Sequence, residues 1–243
     1  MTALTVLWYN VTMLFKSFSG KINTTLGRLS PARRIFLSFA LVIFAGSLLL
    51  SLPFVQATSS QATYFDHLFT AVSMVCVTGL FTQPVATTYN IWGQLICMFL
   101  IQIGGLGLMT FIGVFYIQSK QKLSLRSRET ILESFSYGET QSLMVFIRSI
   151  FLTTFIVEGL GAFLLSFRFV PEFGWGRGIF TSIFVAISAF CNAGFDNFGS
   201  TSLVAFQTDP LINLVLAALI ITGGLGFMVW FDLATQLSKK KRR

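Results

Sequence analysis

Apolar residues in this chain come in runs of two lengths. Four runs are long: residues 35–52, 91–117, 143–169 and 211 to about 233. Each holds about 18 residues or more, the length a helix needs to cross a hydrocarbon layer. Two runs are short: residues 64–75 and 177–190. At about 12 residues the first is too short to cross, and it suits a half-helix that dips into a membrane and returns. Irregular backbone at that depth is tolerated only where protein buries it or where it lines a wet path. Prolines punctuate the pattern: Pro31 opens the first long run, Pro53 stops it, Pro84 follows the first short run, Pro171 is expected to stop the third long run, and Pro210 opens the last. The expected order, twice over, is helix, re-entrant loop, helix.

The repetition is visible in residues as well as in hydropathy. After the first short run comes Ser73-Met74-Val75-Cys76-Val77-Thr78-Gly79-Leu80; 115 residues later comes Ser188-Ala189-Phe190-Cys191-Asn192-Ala193-Gly194-Phe195. Both read Ser-x-x-Cys-x-x-Gly-apolar. At the same offset Gly46 meets Gly161, Leu49-Leu50-Ser51 meets Leu164-Leu165-Ser166, and Phe65 and Phe69 meet Phe180 and Phe184. After four inserted residues, Gly104-Gly105-Leu106-Gly107 meets Gly223-Gly224-Leu225-Gly226, and Met109 meets Met228. A fixed internal period signals a repeated structural unit. Each unit begins and ends on the same side, so the two are parallel and related by an axis along the membrane normal.

The fold class expected is therefore an all-α membrane protein of two parallel helix–re-entrant pore loop–helix repeats, like a potassium channel. Its parts are a cytoplasmic lead (1–34), a first unit (35–117), a cytoplasmic linker (118–142), a second unit (143–238) and a basic tail (239–243).

Composition sharpens this picture. Of 243 residues, 54% are hydrophobic and 11% charged, and mean hydropathy is +0.76, against about a quarter charged in soluble domains. Net charge is +8, but 15 of the 17 Lys and Arg fall in three blocks, around Lys16–Arg34, Lys120–Arg148 and Lys239–Arg243. That placement fits the positive-inside rule with both termini cytoplasmic, and it argues against nucleic acid. Asp66, Glu172, Asp196 and Asp209 fall in the opposite loops. Cys76, Cys97 and Cys191 have no metal-ligand spacing and imply no disulfide framework. Residues 4–15 lack the basic lead and cleavage site of a secretory signal.

These features point to chemistry on the backbone. Glycine at 79 and 194 lets each turn aim carbonyl groups at an axis, and rings of carbonyls replace the hydration shell of a cation. The candidate ion-selecting residues are Cys76, Val77, Thr78 and Gly79, with Cys191, Asn192, Ala193 and Gly194. The alternative for each glycine is an ordinary tight turn. Cys76 and Cys191 are expected as small residues packed behind the turns. Glu158 is an ionisable group inside a predicted span and so a functional candidate, against a hydrogen-bonded packing role. Asp196 either draws cations to the mouth or bonds its own loop; for Asp66 and Asp209 a cap is the simpler reading. His67 has no partner in sequence for catalysis or metal binding. The glycine triplets are either bending points or packing surfaces. An intramembrane hydrolase is the competing class, but no nucleophile–base or metal arrangement lies in the spans.

At the Val77-Thr78-Gly79-Leu80 turn, the Phe190-Cys191-Asn192-Ala193-Gly194-Phe195-Asp196 turn and the two Gly-Gly-Leu-Gly stretches, the chain resembles the membrane subunits of the Trk/Ktr/HKT superfamily of potassium transporters. The likeness runs from about Pro31 to Lys239. It implies a multi-pass protein of the cell membrane that takes up potassium, with no tightly bound cofactor beyond the transported potassium ion. Family members carry four such units, of which this sequence matches the first two. The expectation is that the remaining loops come from a second copy (a homo-oligomer) or from a missing second half; a truncated, non-conducting piece that binds a partner is the alternative. The resemblance further implies a cytoplasmic nucleotide-binding regulatory subunit. Some plant relatives that favour sodium have Ser where this chain has Gly79, so glycine there leans towards potassium.

Overall fold

The computed structural model describes residues 31–107, 143–226 and 229–230. The expected lead, linker and tail, and the Met109–Met228 match, lie outside the described residues. Among those residues every regular element is helical, and a single antiparallel bridge joins Gln56 to Tyr89.

The first unit opens with α1, Pro31–Leu50, which starts on a proline as helices favour. A 3-10 turn at Pro53–Val55 ends the run. The half-helix α2 covers Tyr64–Val75. At ~1.5 Å per residue it is roughly 18 Å long, too short to cross. Thr63 and Asp66 start it: the Thr63 amide and hydroxyl both donate to Asp66 Oδ2, each at 2.7 Å. After the turn comes the short α3, Val85–Thr88, and then α4, Ile91–Leu106. Asn90 caps α4, accepting from the amides of Trp92 and Gly93, while its own amide donates to Phe54 O and Gln56 O. One asparagine thus fixes both the start of α4 and the 3-10 turn that follows α1.

The second unit repeats the plan with α5, Leu143–Phe173, α6, Trp175–Phe190, a 3-10 turn at Ser202–Phe206, and α7, Pro210–Gly224. The stretch Arg148–Phe173 of α5 is the one described helix long and apolar enough to cross a membrane by length and composition; α1, α4, α6 and α7 supply shorter apolar stretches. α1 packs on α2 and α4, α5 on α6, and α7 on both α5 and α6, while α4 also reaches α6 and joins the units. The shared glycines explain the repeated packing. A side chain at Gly46 would begin 2.8 Å from Leu100 Cδ2, and one at Gly161 would begin 2.7 Å from Leu219 Cδ1. The outer faces are apolar, with Phe36, Phe65, Trp175 and Leu214 each more than 70% exposed. A surface of that kind belongs in lipid or against a partner.

Two expectations about helix ends need correction. Pro171 does not stop α5, which continues to Phe173 and ends at Gly174, with φ of 80°. Proline there costs the bond to the carbonyl of residue 167 and crowds it, yet the helix runs on for two residues, and Pro171 is exposed. The extra turn places Phe173 among Phe169, Phe198 and Phe206, with ring centroids 5.2–6.2 Å apart. The runs 91–117 and 211–233 are also not single helices. α4 stops at Leu106 and α7 at Gly224, followed by Gly107 and Gly226 at φ of 79° and 78°. The last glycine of each Gly-Gly-Leu-Gly stretch takes a left-handed conformation that ends a helix, at matching places in both units.

Candidate functional site

Both turns are built the same way. As α2 ends, the amides of Cys76, Val77 and Thr78 donate to Val72 O, Met74 O and Ser73 O, at 2.8, 3.3 and 2.9 Å. The amide of Leu80 then donates to Ser73 Oγ at 3.0 Å. As α6 ends, the amides of Cys191, Asn192 and Ala193 donate to Ile187 O, Ala189 O and Ser188 O, at 2.9, 3.1 and 2.8 Å. Phe195 N donates to Ser188 Oγ at 2.8 Å. One serine per turn therefore takes two amides, one on its carbonyl and one on its hydroxyl. The first turn has an extra bond, Ser73 Oγ to Thr78 Oγ1 at 2.7 Å, which Ala193 cannot copy. Val77 and Asn192 sit at φ of 56° and 57°, a left-handed conformation that is costly for a β-branched residue.

The first three amides of each turn are committed to the helix behind it, and the carbonyls are not. Among the described residues, no hydrogen bond reaches the backbone carbonyls of Cys76, Val77, Thr78 and Gly79, or of Cys191, Asn192, Ala193 and Gly194. The two turns meet at their glycines. A side chain at Gly79 would begin 2.9 Å from Ala193 O and 3.4 Å from Gly194 Cα, and one at Gly194 would begin 3.3 Å from Gly79 Cα. Both glycines have positive φ, 74° and 70°, so any other residue is strained in conformation as well as in space. Phe81 and Phe195 follow the turns with ring centroids 6.3 Å apart.

Further glycines bring the following helices close behind. A side chain at Gly104 would begin 2.5 Å from Val75 O, and one at Gly223 would begin 1.8 Å from Phe190 O. Gly105 faces Cys191, whose Cβ and Sγ lie 2.4 Å from where a side chain would start. Close packing against the ends of α2 and α6 accounts for glycine at these positions without a hinge.

The other candidates fall as follows. Cys191 is buried behind its turn, but Cys76 is exposed, contrary to the expected packing role. The reason is a missing neighbour: Cys191 is covered by α4, and no described helix stands in the matching place beside Cys76. That place is an open apolar hollow of roughly 850 Å³ lined by α1, Leu68 and Cys76. Cys97 is buried in α4. Glu158 is 5% exposed and accepts from Gln102. Asp196 accepts from Phe198 N at 2.9 Å and from the Ser202 hydroxyl, which ties its carboxylate to its own loop. Asp66 starts α2; the Thr82 hydroxyl first, then the Thr63 hydroxyl and amide, hold its carboxyl below the usual carboxylate range. Asp209 caps α7, accepting from Leu211 N and Ile212 N, and pairs with Arg168. Burial at that helix start opposes its ionisation, but the Ile212 amide and the Arg168 guanidinium outweigh it and keep its carboxyl low. His67 is buried with Nδ1 2.9 Å from Tyr89 Oη. No cluster of three metal-ligating side chains occurs among the described residues.

Sequence reasoning missed Gln102, a polar residue in an apolar run, and the bond from Asn197 Nδ2 to Gln94 Oε1 at 3.2 Å that ties the two units together. An amide in the middle of a predicted span was the available signal for Gln102.

Residues 33–243 match the family described as TrkH, cation transport protein. The chain is 43% identical over 214 residues to the potassium/sodium uptake protein NtpJ of Enterococcus hirae, which covers 88% of this chain and 47% of that protein. It is 39% identical over 205 residues to the Ktr system potassium uptake protein B of Bacillus subtilis, covering 84% of this chain and 45% of the relative. The corresponding protein of Vibrio alginolyticus is 40% identical over 200 residues, covering 82% and 43%. The chain spans about half the length of the curated relatives it matches.

Proposed function

The chain belongs to the TrkH family of cation transport proteins, and on that premise we propose that it is a pore-forming membrane part of a potassium uptake system. The turns 76–79 and 191–194 are two walls of its ion-selecting ring. The observation that carries this reading is the division of labour in the turns: amides tied back to α2 and α6, carbonyls free, and the two turns touching at Gly79 and Gly194. Carbonyls held in that way stand in for the water around a partly dehydrated cation. Transport is not enzymatic here: the matched family and the relatives are cation transport and uptake proteins.

Two loops make half a ring. The relatives' lengths favour a ring completed by sequence beyond these two units, and a second copy of the chain is the other source of two loops. Sidedness follows the basic blocks, with the lead, linker and tail facing the cytoplasm. There the linker and tail would meet the nucleotide-binding regulatory subunit that the family resemblance implies. Potassium is the proposed cargo, since glycine stands at position 79.

The test is rubidium uptake at limiting potassium in cells lacking their own uptake systems, with the Gly79→Ser/Gly194→Ser chain beside the unchanged one. Each serine is forced into a left-handed conformation, at a cost of roughly 1–2 kcal/mol, against a neighbouring backbone. A loss of uptake of at least tenfold is expected. Uptake untouched by the double change would overturn the assignment of the turns. No uptake from a well-inserted chain would overturn conduction by these two units alone.

A further inference from the structure

Behind the second turn lies a buried polar cluster that the reading above leaves unused. Gln102 on α4, Glu158 on α5 and Cys191 at the start of the turn are 8%, 5% and 6% exposed. Gln102 Nε2 donates to both carboxyl oxygens of Glu158, at 3.0 and 3.2 Å. The Cys191 thiol donates to Gln102 Oε1 at 3.8 Å and to Glu158 Oε1 at 4.0 Å. Gly105, about one turn along the same helix from Gln102, also packs against Cys191. Among the described residues no Lys or Arg pairs with Glu158, so its partners are an amide and a thiol.

The cluster is peculiar to one unit. By the internal offset of 115, Glu158 corresponds to Ile43 and Cys191 to Cys76; by the offset of 119, Gln102 corresponds to Ile221. Ile43 and Cys76 line the open apolar hollow of the first unit. Yet the first turn has the same hydrogen bonds as the second. The cluster is therefore not needed to form a turn. It adds a connection between units: α4 belongs to the first, α5 and the Cys191 turn to the second. A polar bond in a low-dielectric interior is directional and costly to leave half-made, so it fixes a distance that apolar packing leaves looser.

We propose that Gln102 and Glu158 are positioning residues, a clamp that holds the second turn against the first unit and so sets how the two turns meet at Gly79 and Gly194. The inference rests on the reading of those turns as ion-selecting, and its test separates the two. The first arm needs no transport. The native chain in membranes is exposed to methanethiosulfonate ethylammonium, and modification of Cys191 is timed by mass spectrometry of its peptide. Glu158→Leu and Gln102→Leu are each expected to speed labelling at least tenfold. The exchanged pair, Gln102→Glu with Glu158→Gln, restores an amide–carboxyl bond and is expected to return the rate to within about twofold of native. The same rescue distinguishes a lost clamp from a misfolded chain, and Glu158→Gln alone, which keeps one acceptor oxygen, is expected to fall between.

The second arm is the ratio of rubidium to sodium uptake, expected to fall at least fivefold in each leucine variant and to recover in the exchanged pair. Unchanged labelling, or no rescue by the exchange, would overturn the clamp. Faster labelling with an unchanged ion ratio would overturn its positioning role and leave only packing. If the unchanged chain carries no ion, the conduction reading falls by itself and the labelling arm alone upholds or overturns the clamp.

Discussion

Two adjacent glycines on α7 give a sharp contrast, because one is locked and the other is open. A Cβ at Gly223 would start 1.8 Å from Phe190 O, while the nearest atom to a Cβ at Gly224 is Asn192 Nδ2 at 3.7 Å. Alanine at 224 meets ordinary contact and adds helix propensity worth up to about 1 kcal/mol. Alanine at 223 meets a backbone carbonyl at the end of α6, which no rotamer change can move aside. To reach ordinary contact at 3.4 Å, α7 must retreat from α6 by about 1.6 Å, and overpacking of this kind costs ~1–3 kcal/mol or more. Both variants share the propensity gain, so the expected gap between Gly223→Ala and Gly224→Ala is about 1–3 kcal/mol. For a chain of this size, roughly 2–4 °C per kcal/mol puts the two variants about 2–12 °C apart. The assay is thermal unfolding of the purified chain in one detergent, followed by tryptophan fluorescence, with Gly159→Ala as a control helix glycine that has no neighbour within 4 Å. Equal melting temperatures for the 223 and 224 variants, or a lower one for 224, would refute the packing argument.

Asn90→Ala removes a cap on α4 together with two bonds to the outer loop; a loss of about 1–2 kcal/mol is expected in the same melting assay. Asp66 has a lowered pKa in the folded chain. Its contribution to stability is therefore present above its unfolded value near 3.8 and lost as pH falls through the lower folded value; melting scans from pH 6 down to 3 should show this acid loss flattened in Asp66→Asn. Val77→Gly relieves a β-branched residue held at φ of 56°. Since such strain costs roughly 1–3 kcal/mol, the variant is expected to melt no lower than the native chain, while hydrogen exchange of the Thr78 and Leu80 amides rises because the turn is less confined.

Much of this architecture can be read from hydropathy, because lipid leaves backbone few options. The bounds of α2 coincide with the run 64–75, since Thr63 and Asp66 start it and the Ser73 bonds end it, all within a few residues of sequence. The matched turns are also local: the serine three places before each cysteine carries the geometry. What sequence could not give depends on neighbours distant along the chain. Pro171 continues α5 because Phe173 has three aromatic partners, two of them in the loop after the second turn. Cys76 and Cys191 look equivalent in sequence and differ in burial because α4 covers only one. Gln102 gains meaning only from a carboxyl 56 residues away. The Gly-Gly-Leu-Gly stretches advertised their importance, but which glycine is locked and which is free is a matter of what lies across from each.

The distance between Gln102 and Glu158 along the chain also has a consequence in time. A ribosome adding ~5–20 residues per second delivers Glu158 about 3–11 s after Gln102. For that interval the amide of Gln102 sits in a newborn apolar helix without the carboxyl it is built to meet. The bond that joins the two units can form only once the second has been made, so their order of synthesis is also the order in which this contact is completed.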